Sequence, residues 1–220
     1  ETLFALSMDA PVDPETLGEI LRRRAPLYDR AGDQHYDLIS VLHKALRGSD
    51  PDAALYWLCR MLDAGEDPNY IARRLLRFAA EDIGLADPPA MAEAIAAWES
   101  YERLGSPEGE LALAQIVLRL ATAPKSNAVY AAFKSAMRAA KETGSLPPPN
   151  YAVNAPTRLM KEMGRGAGYA YDHDAEHGFA GNSYFPDAMP RAQFYDPPER
   201  GFEREIRKRL AWWAARRNRT

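Results

Sequence analysis

Few residue groups in this sequence suit metal or phosphate chemistry, and each has a structural alternative. His173, Asp174 and His177 (HDAEH) carry donors that ligate metals, but no distant second pair completes a tetrahedral site. Local hydrogen bonds in a turn are the alternative, and we expect no metal site. Gly164 to Gly168 (GRGAG) is similar to a phosphate loop, yet it lacks GK[ST] and a preceding strand. We expect the end of a helix and a turn there.

Cys59 is the only cysteine. It lies in an apolar helical pattern without a histidine partner, so we expect a small buried side chain rather than a nucleophile. A single cysteine forms no internal disulfide, which suits a reducing compartment. The sequence has no signal peptide and no apolar run of about 18 residues, so we expect a soluble cytoplasmic protein. We find no Ser/His/Asp or Cys/His arrangement, and we predict no catalytic and no cofactor-binding residue.

The positive charges of the chain gather in a few places. The net charge is −3, but residues 199–220 contain eight Lys and Arg against three Glu. This tail is typical either of nucleic-acid binding or of a solvated amphipathic helix, and we favour the helix. Arg73, Arg74 and Arg77 share one helical face. They bind either phosphates or acids in a set of interhelical ion pairs, and we favour the ion pairs, for which Glu81 and Asp82 are nearby partners.

Pairs of a capping residue and a proline organise the middle of the chain. Asp50-Pro51, Asp67-Pro68 and Asp87-Pro88 place a hydrogen-bond acceptor before a proline at the first helical position, and Ser106-Pro107 repeats the pattern. Four short helices are predicted to begin at these prolines. A fifth is predicted over Lys125–Thr143, where Ser126 or Asn127 acts as the N-cap, although a helix N-terminus with a lysine can also bind an anion.

The apolar spacing predicts which helical faces are buried. The helix after Ser106-Pro107 is apolar around most of its circumference, so we expect it to be central or shared with another subunit. In the other four helices the apolar residues fall on one face. The predicted buried residues are Leu55, Leu58, Cys59 and Leu62, then Ile71, Leu75 and Phe78, then Met91, Ile95, Trp98 and Tyr101. The stripe of the Lys125–Thr143 helix is Val129, Phe133, Ala136, Met137 and Ala140.

The composition changes after Gly144. Residues 145–156 contain four prolines, and a short helix is predicted over Thr157–Met163. Residues 165–198 have little periodicity but seven aromatics, so we expect an ordered strap whose rings pack on the helices. A final helix is predicted from about Glu199 to Arg217. The chain begins on Glu1 inside a helix-like run, and we expect it to be a piece of a longer protein.

Several stretches together resemble a known family. They are YDLISVLHKALRGSDPDAALYWLCRMLDAGEDPNYIARRLLRFAAEDIGLADP, PEGELALAQ, APKSNAVYAAFK, NAPTRLMKEMG, YAYDHD, YFP and RGFEREIRKRL. In order and spacing they are similar to the C-terminal half of the replication-associated recombination protein A family (RarA, or MgsA), a relative of the Werner-helicase-interacting ATPase. The similarity runs from about Tyr36 to Leu210, and PPPNYAVNAP and AEHGFAGNS depart from it. The family-motif positions are Ser126, Asn127, Tyr130, Asn154, Pro156, Thr157 and Lys161.

The resemblance implies a DNA-dependent AAA+ ATPase that acts in replication, recombination and repair at damaged forks. Such proteins have an N-terminal ATPase core that uses ATP and Mg²⁺, a lid, and a helical C-terminal region that assembles homotetramers. They bind the single-stranded-DNA-binding protein and DNA forks, ends or gaps, in the cytoplasm with the nucleoid. The family's ATPase motifs lie upstream of Glu1. The resemblance therefore implies that this chain alone is not an enzyme.

We accordingly predict an all-α protein, a helical bundle resembling a clamp-loader collar, with an aromatic-rich irregular C-terminal strap and a final helix. Residues 1–35 would be the end of the lid region, 36–144 a helical oligomerisation domain, and 145–220 the strap and final helix.

The predicted function is that of a homotetramerisation collar. Its predicted contact residues are Trp98, Tyr101, Leu111, Leu113, Ile116, Val117 and Leu120. One alternative is a module that recruits DNA or single-stranded-DNA-binding protein through basic helix faces. Its residues are Arg73, Arg74, Arg77, Lys125, Lys134 and Arg138. The other is an independent metalloenzyme that uses HDAEH.

Overall fold

The computed structural model describes residues 33–217, with side chains from Tyr36 onward. Every regular element among them is helical, which confirms the all-α prediction. The helices are α1 (Asp33–Arg47), α2 (Pro51–Asp63), α3 (Pro68–Phe78), α4 (Ala90–Leu104), α5 (Glu110–Thr122), α6 (Ala128–Thr143), α7 (Arg158–Glu162) and α8 (Glu203–Arg217). The predictions for residues 1–32 lie outside the described residues. Between Asp33 and Arg217 no helix has the length and apolar character needed to cross a membrane.

The Asp-Pro pairs start two helices as predicted. Asp50 accepts a hydrogen bond from the backbone N–H of Ala53 at 2.9 Å, and Asp67 accepts one from Asn69 at 3.0 Å. Both acceptors satisfy backbone donors of a first turn that have no partner inside the helix. Their prolines occupy the first helical position.

The other two pairs do not start helices at their prolines. Helix α4 begins at Ala90 rather than at Pro88, and α5 begins at Glu110 rather than at Pro107. Residues 106–109 form a turn instead, because the N–H of Gly109 bonds back to the carbonyl of Gly105 at 2.6 Å.

The chain folds into two compact units, and the first contains residues 33–79 and 91–123. In it α2 packs on α1 and α5, and α5 also contacts α1 and α3. The core side chains are fully buried. They include Leu42, Leu46, Leu58, Met61, Ile71, Leu75, Phe78, Leu113, Val117 and Leu120. The central position of α5 is one of the two arrangements that its apolar circumference predicted.

Three residues of α2 and α4 that were predicted to be buried are exposed. The buried face of α2 is Ala54, Leu58 and Met61, and Cys59 lies one residue around the helix, in solvent. A step of one residue turns a helix by about 100°, which is enough to leave the core. On α4 the same shift exposes Met91 and Ile95, whose side chains are 51% and 41% accessible.

The second unit contains residues 80–90 and 124–217. A π-helical turn ends at Ile83, and a 3₁₀ turn follows over Gly84–Ala86, against which α6 packs. The final helix begins at Glu203, four residues later than predicted. Part of the aromatic strap packs on it as expected: the ring of Phe179 stacks on Trp213, with centroids 6.5 Å apart.

The start of α8 is fixed to the carbonyl of Ala86. Phe202 donates its N–H to that oxygen at 2.8 Å, and Gly201 lies so close that an added Cβ would overlap the same oxygen. Gly201 also has a φ of 48°, a region that favours glycine. Glycine is therefore favoured at position 201 for two reasons, the positive φ angle and the close approach to the carbonyl oxygen of Ala86.

One residue further, the carboxylate of Glu203 is buried inside the unit. Its Oε1 accepts a hydrogen bond from the Tyr195 hydroxyl at 2.8 Å, while Oε2 is buried without a protein partner. Burial raises the pKa of Tyr195 well above its usual value, and the hydrogen bond to Glu203 and the charge of Glu203 raise it further. The tyrosine is therefore held as a neutral donor to the acid.

We predict that Gly201→Ala destabilises the chain by about 1–3 kcal/mol more than Gly168→Ala, because only the first Cβ meets backbone. Gly168 is the matched control, since its φ is also positive and nothing lies within 4 Å of its added Cβ. Chemical denaturation followed by circular dichroism measures both variants. Equal losses would contradict the close approach to Ala86.

We predict that Tyr195→Phe lowers the free energy of unfolding at neutral pH by about 1–3 kcal/mol, because Glu203 loses its hydrogen-bond donor. The control Tyr56→Phe, on an exposed ring, should cost almost nothing. Above the ordinary tyrosine pKa of 10.0 the unfolded Tyr195 loses its proton while the folded one keeps it, so wild-type stability falls as the pH rises. The phenylalanine variant should show a shallower fall, and parallel pH profiles would contradict the raised pKa.

Candidate functional site

A groove separates α4 from α5 in the first unit. It has a volume of about 390 Å³, and small side chains form most of its walls. The lining residues are Ala96, Ala97, Ser100, Ala112, Gln115 and Ile116, with Glu93 and Arg119. Arg119 Nε lies 2.8 Å from Glu93 Oε2, so an ion pair joins the two helices beside the groove. A cleft of this kind can accept an apolar side chain of a partner.

Three of the predicted contact residues retain accessible surface. Trp98 is half-buried and donates its indole N–H to Asn69 at 2.8 Å. Tyr101 is half-buried, and its hydroxyl lies 3.2 Å from the Ser106 hydroxyl. Leu111 is 75% exposed on α5. These three side chains are available to a second molecule.

The other four predicted contact residues are placed in the core instead. Leu113, Val117 and Leu120 are completely buried, and Ile116 is 4% exposed. The reason is the central position of α5, since α1, α2 and α3 surround it and use its apolar circumference within the chain. Apolar periodicity alone does not separate an internal partner from an external one.

Helix α6 leaves its apolar stripe uncovered. Val129, Phe133 and Met137 are 37%, 65% and 45% exposed, and no residue of this 16-residue helix is buried. The residues of the stripe do share one helical face, but the prediction that this face is buried is wrong. Lys134 and Arg138 are also exposed on this helix.

The remaining predicted cations belong to different surroundings. Arg73 is exposed, with its guanidinium 5.9 Å from the ring centre of Tyr70, and Arg77 is exposed on the same helix. Arg74 is half-buried. Lys125 is half-buried in the second unit, where burial lowers its pKa against the opposing effect of Asp82. The six cations are thus divided between the two units and do not belong to one helical face.

The first group of family-motif positions fixes the start of α6. Ser126 is buried, donates its N–H to the carbonyl of Asp82 at 2.7 Å, and accepts a hydrogen bond from Ala128 on its hydroxyl at 3.2 Å. Asn127 precedes the helix, and its side chain makes no capping hydrogen bond. Tyr130 is 42% exposed. Of the two predicted caps, the Ser126 hydroxyl accepts a backbone N–H of the first turn and the Asn127 side chain does not.

Two of the second group of motif positions line a larger cavity in the second unit. Thr157 caps α7 by accepting a hydrogen bond from Met160 at 3.3 Å, and Pro156 beside it is exposed. Asn154 and Lys161 line the cavity, whose volume is about 630 Å³. Other lining residues were missed from the sequence. They are Tyr151, Arg165, Tyr169 and Tyr184.

Each of the two histidines of HDAEH packs against an aromatic ring, and the two are not arranged around a common metal ion. The His173 ring lies 5.1 Å from that of Tyr171, and the His177 ring lies 5.5 Å from Trp212. His177 Nε2 also lies 3.0 Å from a Glu176 oxygen. Within residues 33–217 no group of three or more His, Cys, Asp or Glu side chains is arranged to hold a metal ion.

Comparison with known proteins matches nearly the whole chain to two sequence families. Residues 48–214 match the family described as MgsA AAA+ ATPase C terminal, and residues 2–47 match the AAA C-terminal domain. These matches meet near the end of α1.

Several curated relatives are similar over most of this chain. Replication-associated recombination protein A of Escherichia coli K12 is 52% identical over 202 residues, covering 91% of this chain and 45% of the relative. The protein of the same name from Coxiella burnetii is 52% identical over 203 residues, covering 92% and 46%. ATPase WRNIP1 of Dictyostelium discoideum is 39% identical over 189 residues, covering 86% and 22%. The chain spans less than half the length of these relatives.

Proposed function

This chain belongs to the MgsA AAA+ ATPase C-terminal family, and on that premise we propose that it assembles the subunits of such an ATPase into a homotetrameric collar. The family supplies the general setting, an AAA+ ATPase whose relatives are named for replication-associated recombination. The collar role is the narrower proposal, and it needs a surface on which copies meet.

The uncovered apolar stripe of α6 carries the proposal. A helix that is amphipathic but has no buried residue gains little from its own chain, since packing of an apolar face provides most helical stability. Contact with a second copy would remove Phe133 and Met137 from water. Burying a side chain of this size contributes roughly 1.5–3 kcal/mol.

The first unit offers a further contact surface. Leu111 and Leu118 are exposed on α5, and Met91 and Ile95 are exposed on α4, on the helices that border the groove. We propose that this surface is where a neighbouring copy meets the first unit. In this proposal Trp98 and Tyr101 remain contact residues. The four buried residues of α5 support the contact surface only from inside the core; they are Leu113, Ile116, Val117 and Leu120.

The activity of the whole protein is part of the proposal. We propose an AAA+ ATPase that uses ATP and Mg²⁺ in a part outside this chain. In the proposal the assembly acts on DNA forks, ends or gaps in replication, recombination and repair, together with the single-stranded-DNA-binding protein. Its place would be the cytoplasm, associated with the nucleoid.

A recruiting role is the second candidate. It is favoured by Lys134 and Arg138, which are exposed four residues apart on α6 and form no ion pair with a described residue. Two cations at this spacing can contact successive phosphates of a nucleic acid or an acidic segment of a partner. This candidate makes binding, rather than assembly, depend on α6.

We predict that the chain forms a tetramer in solution, with four times the 24.5 kDa mass of one chain, at tens of micromolar. Phe133→Glu should weaken assembly at least tenfold, because it places a charge in the apolar contact. Lys134→Glu is the matched control, since it adds a glutamate at the neighbouring exposed position. Light scattering at several concentrations measures all three proteins.

Three results separate the possible outcomes. A wild-type chain that stays monomeric contradicts assembly by this region and favours the second candidate, recruitment of a nucleic acid or an acidic partner. Equal weakening by Phe133→Glu and Lys134→Glu indicates a charge effect and contradicts the apolar contact. If Leu111→Glu dissociates the tetramer while Phe133→Glu does not, the subunits meet at the first unit rather than at α6.

A further inference from the structure

The 630 Å³ cavity of the second unit is built by two glycines that turn the chain after α7. Gly164 and Gly166 have φ angles of 76° and 74°, which favour glycine. The N–H of Gly166 bonds to the carbonyl of Asn150 at 2.7 Å, and an added Cβ would lie 3.3 Å from the carbonyl oxygen of Val153. The turn thereby holds Arg165 and the following residues against the segment 150–155.

The charge of the cavity wall is positive. Lys161 and Arg165 both line it, both are exposed, and neither forms an ion pair with a described residue. Their neighbour Arg158 differs, because Glu162 holds it in a pair of 2.8 Å. No lining residue is acidic. An anion that enters the cavity therefore meets two cations without an internal competitor.

The aromatic wall is equally well defined. The rings of Tyr151 and Tyr184 lie 6.4 Å apart, and Tyr169 and Tyr184 are 45% and 54% exposed. The Tyr184 hydroxyl donates to Asp172 at 2.8 Å, and Asp172 also accepts the N–H of Ala180 at 3.0 Å. These hydrogen bonds lower the pKa of Asp172, so it remains an ionised acceptor that fixes the Tyr184 ring.

One polar atom of the cavity residues lacks a partner. The hydroxyl of Tyr151 is buried and makes no hydrogen bond with the protein. A buried donor without an acceptor is unfavourable, and this hydroxyl is too enclosed to be counted among the ligand contacts. The side chain of Asn154 adds an amide donor and an amide acceptor to the same wall.

We propose that this cavity binds a nucleoside phosphate, with the base against Tyr169 and Tyr184 and the phosphate between Lys161 and Arg165. The inference goes beyond assembly, because it uses no residue of α4, α5 or α6. Aromatic faces together with unpaired cations are the combination that binds nucleotides of single strands. The volume also lies in the range of small-ligand sites. The nucleotide belongs either to a single-stranded chain, for which the exposed rim leaves room, or to a free molecule.

The test measures binding of fluorescein-labelled oligothymidylate and oligouridylate of about 12 nucleotides, by fluorescence anisotropy at low salt. The double variant Lys161→Ala/Arg165→Ala should weaken binding at least tenfold. It should also reduce the slope of log affinity against log salt by roughly 0.7, as expected when one phosphate contact to a single strand is lost. Both residues are exposed, so the variant should fold, which circular dichroism verifies.

The control is Lys44→Ala/Arg60→Ala, which removes one lysine and one arginine charge from exposed positions on α1 and α2. It should retain binding within twofold. Tyr169→Ala should weaken binding at least fivefold, because a stacking face is lost, while Tyr130→Ala, with a ring of similar exposure, should not. Light scattering of the cavity variant should give the wild-type mass, so failure of this site is distinguishable from failure of assembly.

The outcomes divide clearly. If thymidine monophosphate competes with the oligonucleotide, the site accepts a free nucleotide. If it does not compete and the oligonucleotide still binds, the site requires a single strand. Both results support the site. Equal losses in the two double variants overturn it, because binding is then spread over basic surface. Absence of nucleotide binding overturns it as well. The proposal is also overturned if a labelled peptide rich in Asp and Glu binds more tightly than the oligonucleotides and the cavity variant abolishes that binding.

Discussion

The carbonyl group of Ala86 is the point on which the second unit depends. It accepts the N–H of Phe202 and lies against the bare Cα of Gly201, so the 3₁₀ turn at 84–86 and the start of α8 are fixed together. The next residue, Glu203, is then directed into the interior, where Tyr195 supplies its hydrogen bond. A buried carboxylate is tolerated only with such a donor, so one backbone contact also determines where the strap must place its tyrosine. A unit with few buried apolar residues is thus ordered by directional contacts.

The first unit is stabilised by a buried apolar core rather than by directional contacts. This difference explains why some of its residues are predicted correctly from the sequence and others are not. Asp67 and Phe78 behave as expected, because capping and a regular apolar face are local properties that the sequence states directly. Met91 was misplaced by one position, since a helix with many alanines has no large residues to mark its inner face. Leu113 was recognised as apolar but assigned to a subunit contact, because a sequence cannot say which neighbour covers a helix. The cavity was missed for a third reason, since Arg165 and its tyrosines become neighbours only through the glycine turns.

Helices α5 and α6 both have a clear apolar pattern, but α5 is buried within its unit and α6 is exposed. Helix α5 is enclosed by three helices of its own unit, and its apolar surface contributes to stability. Helix α6 has its apolar residues on one face, yet it packs mainly on a single 3₁₀ turn and keeps Phe133 in solvent. Burial in the chain excludes a residue from recognition of other molecules. The less buried helix, α6, is therefore the one whose apolar side chains another molecule can reach.

The same reasoning applies to polar groups. Arg158, Asp172 and Glu203 each have a partner inside the chain, and their charges are used for structure. Lys161 and Arg165 have none among the described residues, although they lie in a cavity wall rather than scattered over a helix. Both side chains are exposed, and together they make this wall positively charged. A fold that supplies an acid to Arg158 and leaves its two neighbours unpaired concentrates positive potential at the cavity, which favours an anion there over a cation.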